Sequence, residues 1–397
     1  MPGPLNGIRV LDASILVQGP QAGAMLSDMG ADVIKIELPG VGDPARLLPL
    51  SPEDLRSPWY VGCNRGKRGL TLDLHLPDGV RVFRRLAETA DVVLSNFQTG
   101  TLDAWGLGYE ALAERNPGIV WAAGNTFGPV GPDAKRKGAD LAGQASGGLI
   151  STIGRTGDAP SPVGVTVADH IGSLNLVAGI LAALHARQQT GRGQRVEVSL
   201  LGGQIWAQAS EYTAFFLNGN MAGRANFGHP LLVPTYRIFE TADGWLAFVG
   251  VAAEEMDAFC IAIDRPDLAL EGERLNPVTA TMEDLAWLAR ELETTLRTRT
   301  TDEWCAAFDG IDVRYSPVRD YRQVVEDPGP WENGYFVETT DAGGNVRRTV
   351  GTPIRMSATP LEPGADAPDL GQHTDEILLE AGYSDEEIAA FRGNGVV

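Results

Sequence analysis

Only four lysines occur in the 397 residues: Lys35, Lys67, Lys135 and Lys137. Three of them fall in two short basic clusters, Asn64-Arg65-Gly66-Lys67-Arg68 and Lys135-Arg136-Lys137. The chain carries 32 basic and 52 acidic side chains, a formal net charge of −20. Basic clusters in so acidic a chain raise the question of which anion they serve; solvated turns are the other reading. Two aspartates head predicted helices. Asp140 precedes Leu141–Ile150, and Asp169 precedes a long apolar segment ending near Gln189. Asp is a favoured N-cap, so capping is one reading of each. For Asp169 the other is chemical: with an ordinary pKa of ~3.9, a carboxylate is ionised at neutral pH and needs no base to act as a nucleophile. Gly147 and Gly148 allow either close approach to a substrate or tight helix packing.

Other chemistries find no support in the spacing. Cys63, Cys260 and Cys305 are far apart and form no CxxC pair, which argues against a disulfide framework or a zinc site. The five histidines are isolated, with no HExxH spacing, and no metal site is expected. The acidic field disfavours nucleic acid and anionic membranes. The N-terminus MPGPLNGIRV lacks a basic, then apolar, leader, and no apolar run of ~20 residues is evident, so a cytoplasmic location is expected.

The elements that must position these residues alternate. Ile8–Asp12, Asp32–Glu37, Asp91–Asn96 and Ile119–Thr126 read as strands. Pro20–Met29, Asp78–Ala90 and the region around Leu102–Arg115 read as helices between them. This rhythm predicts an α/β fold, a Rossmann-like large domain with a parallel sheet covered by helices. Asn96 and Phe97 then end a strand at the carboxyl edge, where open α/β sheets bind ligands; Phe97 also reads as plain core. Residues 206–224 read as a linker. A smaller α+β domain is expected over 225–330, with a hairpin turn at Ala242-Asp243-Gly244. Residues 331–397 are expected to rejoin 1–205 in the large domain. Trp206, Tyr212, Phe215 and Phe216 suit an acyl pocket or a core.

Several blocks together resemble the class III CoA-transferases, the family of formyl-CoA transferase and carnitine CoA-transferase. They are PLNGIRVLDAS, GPQAGAMLSDMGADVIKIE, NRGKRGLTLDL, SNFQTGTLDAWGLGYEAL, KGADLAGQASGGL, PVGVTVADHIGSLNLVAGILAALHARQQTGRGQRVEVSL and GQHTDEILLEAGYSDEEIAAF. The resemblance covers nearly the whole chain. It implies an interlocked homodimer, no tightly bound cofactor, and coenzyme A, acyl-CoA and small carboxylic acids as substrates. It implies that Asp169 attacks the thioester and carries CoA as an aspartyl thioester. Gln18 and Asp140 would assist, with Asp140 orienting Gln18. CoA contacts would fall on Val17, Asn64, Arg65, Lys67, Arg68, Asn96, Phe97 and Lys137. Departures are Leu38 and Ala104, where basic residues are frequent, and Asn226-Phe227-Gly228-His229 in place of four glycines. The last argues against formyl or oxalate specificity.

Three other readings remain. α-Methylacyl-CoA racemases share the fold but use a GHD-type histidine; here the tripeptide is Gly138-Ala139-Asp140, and His170 and His185 suit packing or surface. A nicotinamide-binding protein would need GxGxxG, which SILVQGPQAG lacks. A non-catalytic CoA-binding subunit of a hetero-oligomer is the third.

Overall fold

A computed structural model describes residues 3–50, 55–272, 274, 279–341 and 343–397. The chain forms two compact units, one of residues 1–147, 164–207 and 328–397, the other of 148–163 and 208–327.

The larger unit begins β1 (Arg9–Asp12), α1 (Gln18–Asp28), β2 (Asp32–Glu37), α2 (Pro58–Asn64), β3 (Arg68–Thr71), α3 (Pro77–Ala87) and β4 (Val92–Ser95). It continues α4 (Thr101–Ala104), α5 (Tyr109–Ala113), β5 (Val120–Asn125) and α6 (Asp140–Ser146). After α7 (Leu149–Thr152) of the smaller unit come α8 (Val167–Thr190), β6 (Arg195–Ser199) and α9 (Leu200–Ala207). The strands form one parallel sheet in the order β3-β2-β1-β4-β5-β6. The order reverses between β1 and β4, which opens a crevice beyond their carboxyl ends.

Helices cover both faces of the sheet, and its central strands β1, β4 and β5 are largely apolar and buried. On one face Val82, Phe83 and Leu86 of α3 pack with Leu70, Ile377 and Phe391. The last two lie on helices Thr374–Glu380 and Asp385–Gly393, which return the chain terminus to this core. On the other face α1 and α8 cover Val10, Val92 and Val120. By length and composition α8 could cross a membrane, which corrects the expectation that no such segment exists. Leu176, Val177, Ile180 and Leu184 are buried against this core, so α8 serves here as a core helix. Gly191 ends α8 at φ 69°, and the glycine two residues on is packed against the Ile119 carbonyl. That contact explains the Thr190-Gly191-Arg192-Gly193 turn between α8 and β6. The helix expected around 102–115 is two short helices, divided where Gly106 takes φ 71°.

In the smaller unit β7 (Arg237–Glu240), β8 (Trp245–Val251) and β9 (Val313–Pro317) form an antiparallel sheet around Phe239, Phe248, Phe259 and Trp304. The segment expected as a linker contains α10 (Ala209–Asn218). Asn226 and Phe227 have φ of 48° and 72°, and Phe227 stacks on Trp245 at 5.5 Å.

The Asn64–Arg68 cluster is not a solvated turn. Asn64 ends α2 and Arg68 begins β3. Lys67 is wholly buried, its Nζ 2.6 Å from Asp12 Oδ2 and 2.8 Å from Asn64 Oδ1 and the Pro20 carbonyl. Arg65 pairs with Asp28 at 2.5 Å. Arg68 binds Asp32, Glu376 and Glu380. Removing one partner of a buried pair leaves an uncompensated charge, a loss of about 3–5 kcal/mol. Urea unfolding of Lys67→Ala should show a loss of that order. Lys137→Ala, at an exposed position, should stay within about 0.5 kcal/mol of the parent.

Candidate active site

The β1/β4 crevice holds a cavity of about 500 Å³. Its walls come from the carboxyl ends of the strands and the segments that leave them: Ile15–Gln18 after β1, Asn96–Thr99 after β4, Asn125 and Thr126 at the end of β5, and Leu200 after β6. Arg136–Ala139 and Asp169 complete it. Of the residues singled out from sequence, Val17, Gln18, Asn96, Phe97, Lys137 and Asp169 thus share one cavity. Asn64, Arg65, Lys67 and Arg68 do not line it, and their side chains are bound to other parts of the chain.

Asp169 is the third residue of α8, not its N-cap; Thr166 occupies that position and provides no side-chain cap. The cap comes from another helix. Asp140, first residue of α6, accepts the Ala168 amide at 2.7 Å and the Asp169 amide at 3.1 Å through Oδ1. Its Oδ2 accepts Gln144 Nε2 at 2.5 Å. Asp140 therefore caps α8 rather than its own helix, and its recorded bonds go to these groups rather than to Gln18. With those amides engaged, the Asp169 carboxylate has no hydrogen-bond partner among the described residues. Burial, and then the negative charge of Asp140, push its pKa up to about 7. The positive helix end would favour the anion, but Asp140 already neutralises it in part. This half-buried carboxylate is less ionised near neutral pH than an ordinary aspartate.

Gln18 is buried beside it. Its backbone carbonyl accepts Ser173 Oγ at 2.6 Å, and the same hydroxyl lies 2.9 Å from the Asp169 carbonyl. That bridge ties α1 to α8. The Gln18 side chain lies between Gly124 of β5 and Gly172 of α8; a Cβ on Gly172 would come within 2.6 Å of its Nε2. The Nε2 itself is buried and has no hydrogen-bond partner among the described residues. Sequence reading missed Gly124, Gly172 and Ser173. Neither glycine has a positive φ, so no turn pattern marked them.

Lys137 is exposed at the mouth of the cavity, and the Arg136 guanidinium sits 4.8 Å over the Phe127 ring. Phe97 lines the cavity, meets Trp105 edge-on at 5.6 Å and packs against the core. Gly147 lies against Gln204 of α9, a packing contact. Trp206 and Phe216 are 75% and 79% exposed in this chain, so neither is core. His170 and His185 are exposed. Among the described residues no cluster of His, Cys, Asp or Glu could hold a metal ion.

The chain matches the family described as CoA-transferase family III over residues 5–374. It is 34% identical to succinyl-CoA:mesaconate CoA-transferase of Haloarcula marismortui, over 96% of this chain and 97% of that protein. It is 30% identical to human succinyl-CoA:glutarate CoA-transferase, over 99% of this chain and 90% of that protein. A CAIB/BAIF family protein from Brucella suis of solved structure superposes with a TM-score of 0.84 at 30% identity, covering 96% of this chain and all (100%) of that one. An α/β chain with a six-stranded parallel sheet, matched along most of its length, belongs to CoA-transferase family III and is a CoA-transferase.

Proposed function

We propose that this enzyme moves coenzyme A from an acyl-CoA to a carboxylic acid through a covalent intermediate on Asp169. The observation that carries this reading is a carboxylate without a hydrogen bond, facing a cavity at the switch point of the sheet. An Asp169 oxygen attacks the thioester carbonyl, the C–S bond breaks, and CoA leaves as thiolate. The product is a mixed anhydride between Asp169 and the acyl group. The thiolate attacks Asp169 Cγ, freeing the donor acid and leaving an aspartyl-CoA thioester. The acceptor carboxylate then attacks that thioester and displaces the thiolate again. Thiolate attack on the acceptor's acyl carbon completes the transfer and returns the Asp169 carboxylate. No water or net proton is consumed, so exclusion of water preserves the thioester's energy.

An unsolvated carboxylate is a better nucleophile than a tightly bonded one, which fits the missing hydrogen bonds around Asp169. The buried Gln18 N–H group suits an oxygen that gains negative charge during attack. Lys137 at the mouth suits a CoA phosphate. The two curated relatives named above use succinyl-CoA, so succinyl-CoA with a panel of dicarboxylic acids is the first substrate set to assay. We also infer an interlocked homodimer as the working unit. Exposed Trp206, Phe216, Leu217 and Met221 are apolar groups that a second copy could cover. Light scattering showing a 42.3 kDa particle at micromolar concentration would remove the dimer.

Incubation with acyl-CoA alone should load CoA onto the enzyme, and hydroxylamine should convert Asp169 to a hydroxamate visible by peptide mass. Asp169→Asn should fold, bind CoA and lose transfer; an Asn variant with parental activity would end the reading. Lys137→Ala should raise the donor KM about 10-fold and lower its sensitivity to salt, as loss of a charge-assisted bond requires. Unchanged donor affinity would leave Lys137 outside the phosphate site.

The raised pKa of Asp169 adds a pH dependence. With Asp169 at about 7 in the fold and 3.8 as its ordinary value, the folded enzyme binds more protons between those limits. Stability should therefore fall as pH rises through that window and stay at the lower level above it. Replacing the carboxyl by an amide removes this cost. Asp169→Asn should raise the melting temperature more at pH 8 than at pH 4. Activity in the free enzyme should rise with pH through about 7, as the nucleophile ionises.

A further inference from the structure

The loop that joins β1 to α1 delivers Val17 and Gln18 to the cavity, and side chains from several elements grip its backbone. Asp12, at the end of β1, accepts the Ser14 amide at 3.0 Å and also the Ser14 hydroxyl. Lys35 of β2 donates to the Ser14 carbonyl. Asp43 accepts the Leu16 amide at 3.0 and 3.2 Å through its two oxygens. Asn96, just past β4, binds the next residue back at both ends. Its Oδ1 accepts the Ile15 amide at 2.7 Å, and its Nδ2 donates to the Ile15 carbonyl at 2.7 Å.

This grip holds an unfavourable shape. Leu16 has φ 64°, in the left-handed region that a side chain rarely adopts unless its surroundings enforce it. Directly after it come Val17, the residue before the first turn of α1, and Gln18, wedged beside Asp169. Gly19 packs so closely on Ser14 that a Cβ there would overlap the serine side chain; the same Cβ would lie 3.6 Å from Asn96 Cγ. The start of α1 thus rests on the clamped turn. Resemblance alone makes Asn96 a coenzyme A contact, yet here the oxygen and the nitrogen of its amide both serve the loop.

We propose that Asn96 is a positioning residue, which acts on the transfer reaction through the Ile15–Val17 turn and Gln18 rather than by holding coenzyme A with its side chain. The proposal rests on the reading of Asp169 as nucleophile. A ligand and a positioning residue leave different kinetic marks. Loss of a ligand contact made equally in ground and transition states raises KM with kcat unchanged; loss of positioning lowers kcat.

The test measures succinyl-CoA-dependent transfer and amide hydrogen exchange in Asn96→Ala and Asn96→Asp. Misplacement of a reacting group by about 1 Å can cost roughly 100-fold, so kcat of Asn96→Ala should fall about 10- to 100-fold with donor KM within about twofold. The amides of Ile15 and Leu16 should exchange faster than in the parent. Asn96→Asp keeps an oxygen for the Ile15 amide but sets a second oxygen against its carbonyl, so it too should lower kcat and speed exchange at Ile15 and Leu16. A donor KM raised about 10-fold at unchanged kcat would make Asn96 a ligand and overturn the proposal. Unchanged exchange at Ile15 and Leu16 would overturn it as well. If Asn96→Ala fails to fold, the same two measurements on Asn96→Asp decide the matter. The exchange measurement needs no turnover, so it separates failure of the clamp from failure of the nucleophile. Absence of an Asp169 adduct in the parent enzyme would remove the latter alone.

Discussion

The pairing of Lys67 with Asp12, in complete burial at the carboxyl end of β1, is the constraint around which the site is built. Burial alone would push the Asp12 carboxyl up, but the Lys67 and Lys35 ammonium groups outweigh it and hold the carboxyl below its usual range. The arrangement extends outward. Lys35 pairs with Asp43 at 2.7 Å, also in complete burial. Glu37 accepts the Asp43 amide at 2.9 Å and Arg46 Nε at 2.8 Å, and Tyr60 donates to it at 3.0 Å. Such a network is a poor source of net stability, because each ion surrenders its hydration. What it supplies is definition: every charge has one place to be, and the backbone of residues 14–16 is fixed by the same groups.

Asp169 stands in contrast to these carboxylates. Asp12, Asp32 and Glu37 are held low by cations that overcome the effect of burial. Asp169 has burial without a cation and a second carboxylate nearby, and it is driven the other way. Two aspartates at helix starts, similar in sequence, are separated by their surroundings. Asp140 spends its oxygens on the amides of α8 and on Gln144. Asp169 is left unspent.

The parallel sheet was legible in the sequence because its strands are short apolar runs between amphipathic helices, and β2 begins and ends at the expected residues. Asp169 was legible as a helix-start aspartate before a conspicuous apolar helix, although its place in the third position was not. The cap from Asp140 lies 28 residues away in sequence and leaves no local pattern. The Asn64–Arg68 cluster is the converse case. Local charge suggested a ligand for Lys67, but the partner, Asp12, sits 55 positions earlier in a run that reads as plain strand. Asp43 and Asn96 are typical turn residues in sequence, and only the fold brings them to the same loop. Long-range polar partnership is the part of this site that residue spacing cannot carry.

Burial of Lys35 and Lys67 has a practical side. With both side chains at 0% exposure, the ε-amino groups open to solvent are those of Lys135 and Lys137, two residues apart beside the cavity. To an amine-selective reagent the folded protein therefore offers, apart from its N-terminus, a single address. A fluorophore or cross-linker attached through lysine would report on the mouth of the cavity without any engineered cysteine, and its reach would be measured from one strip of chain.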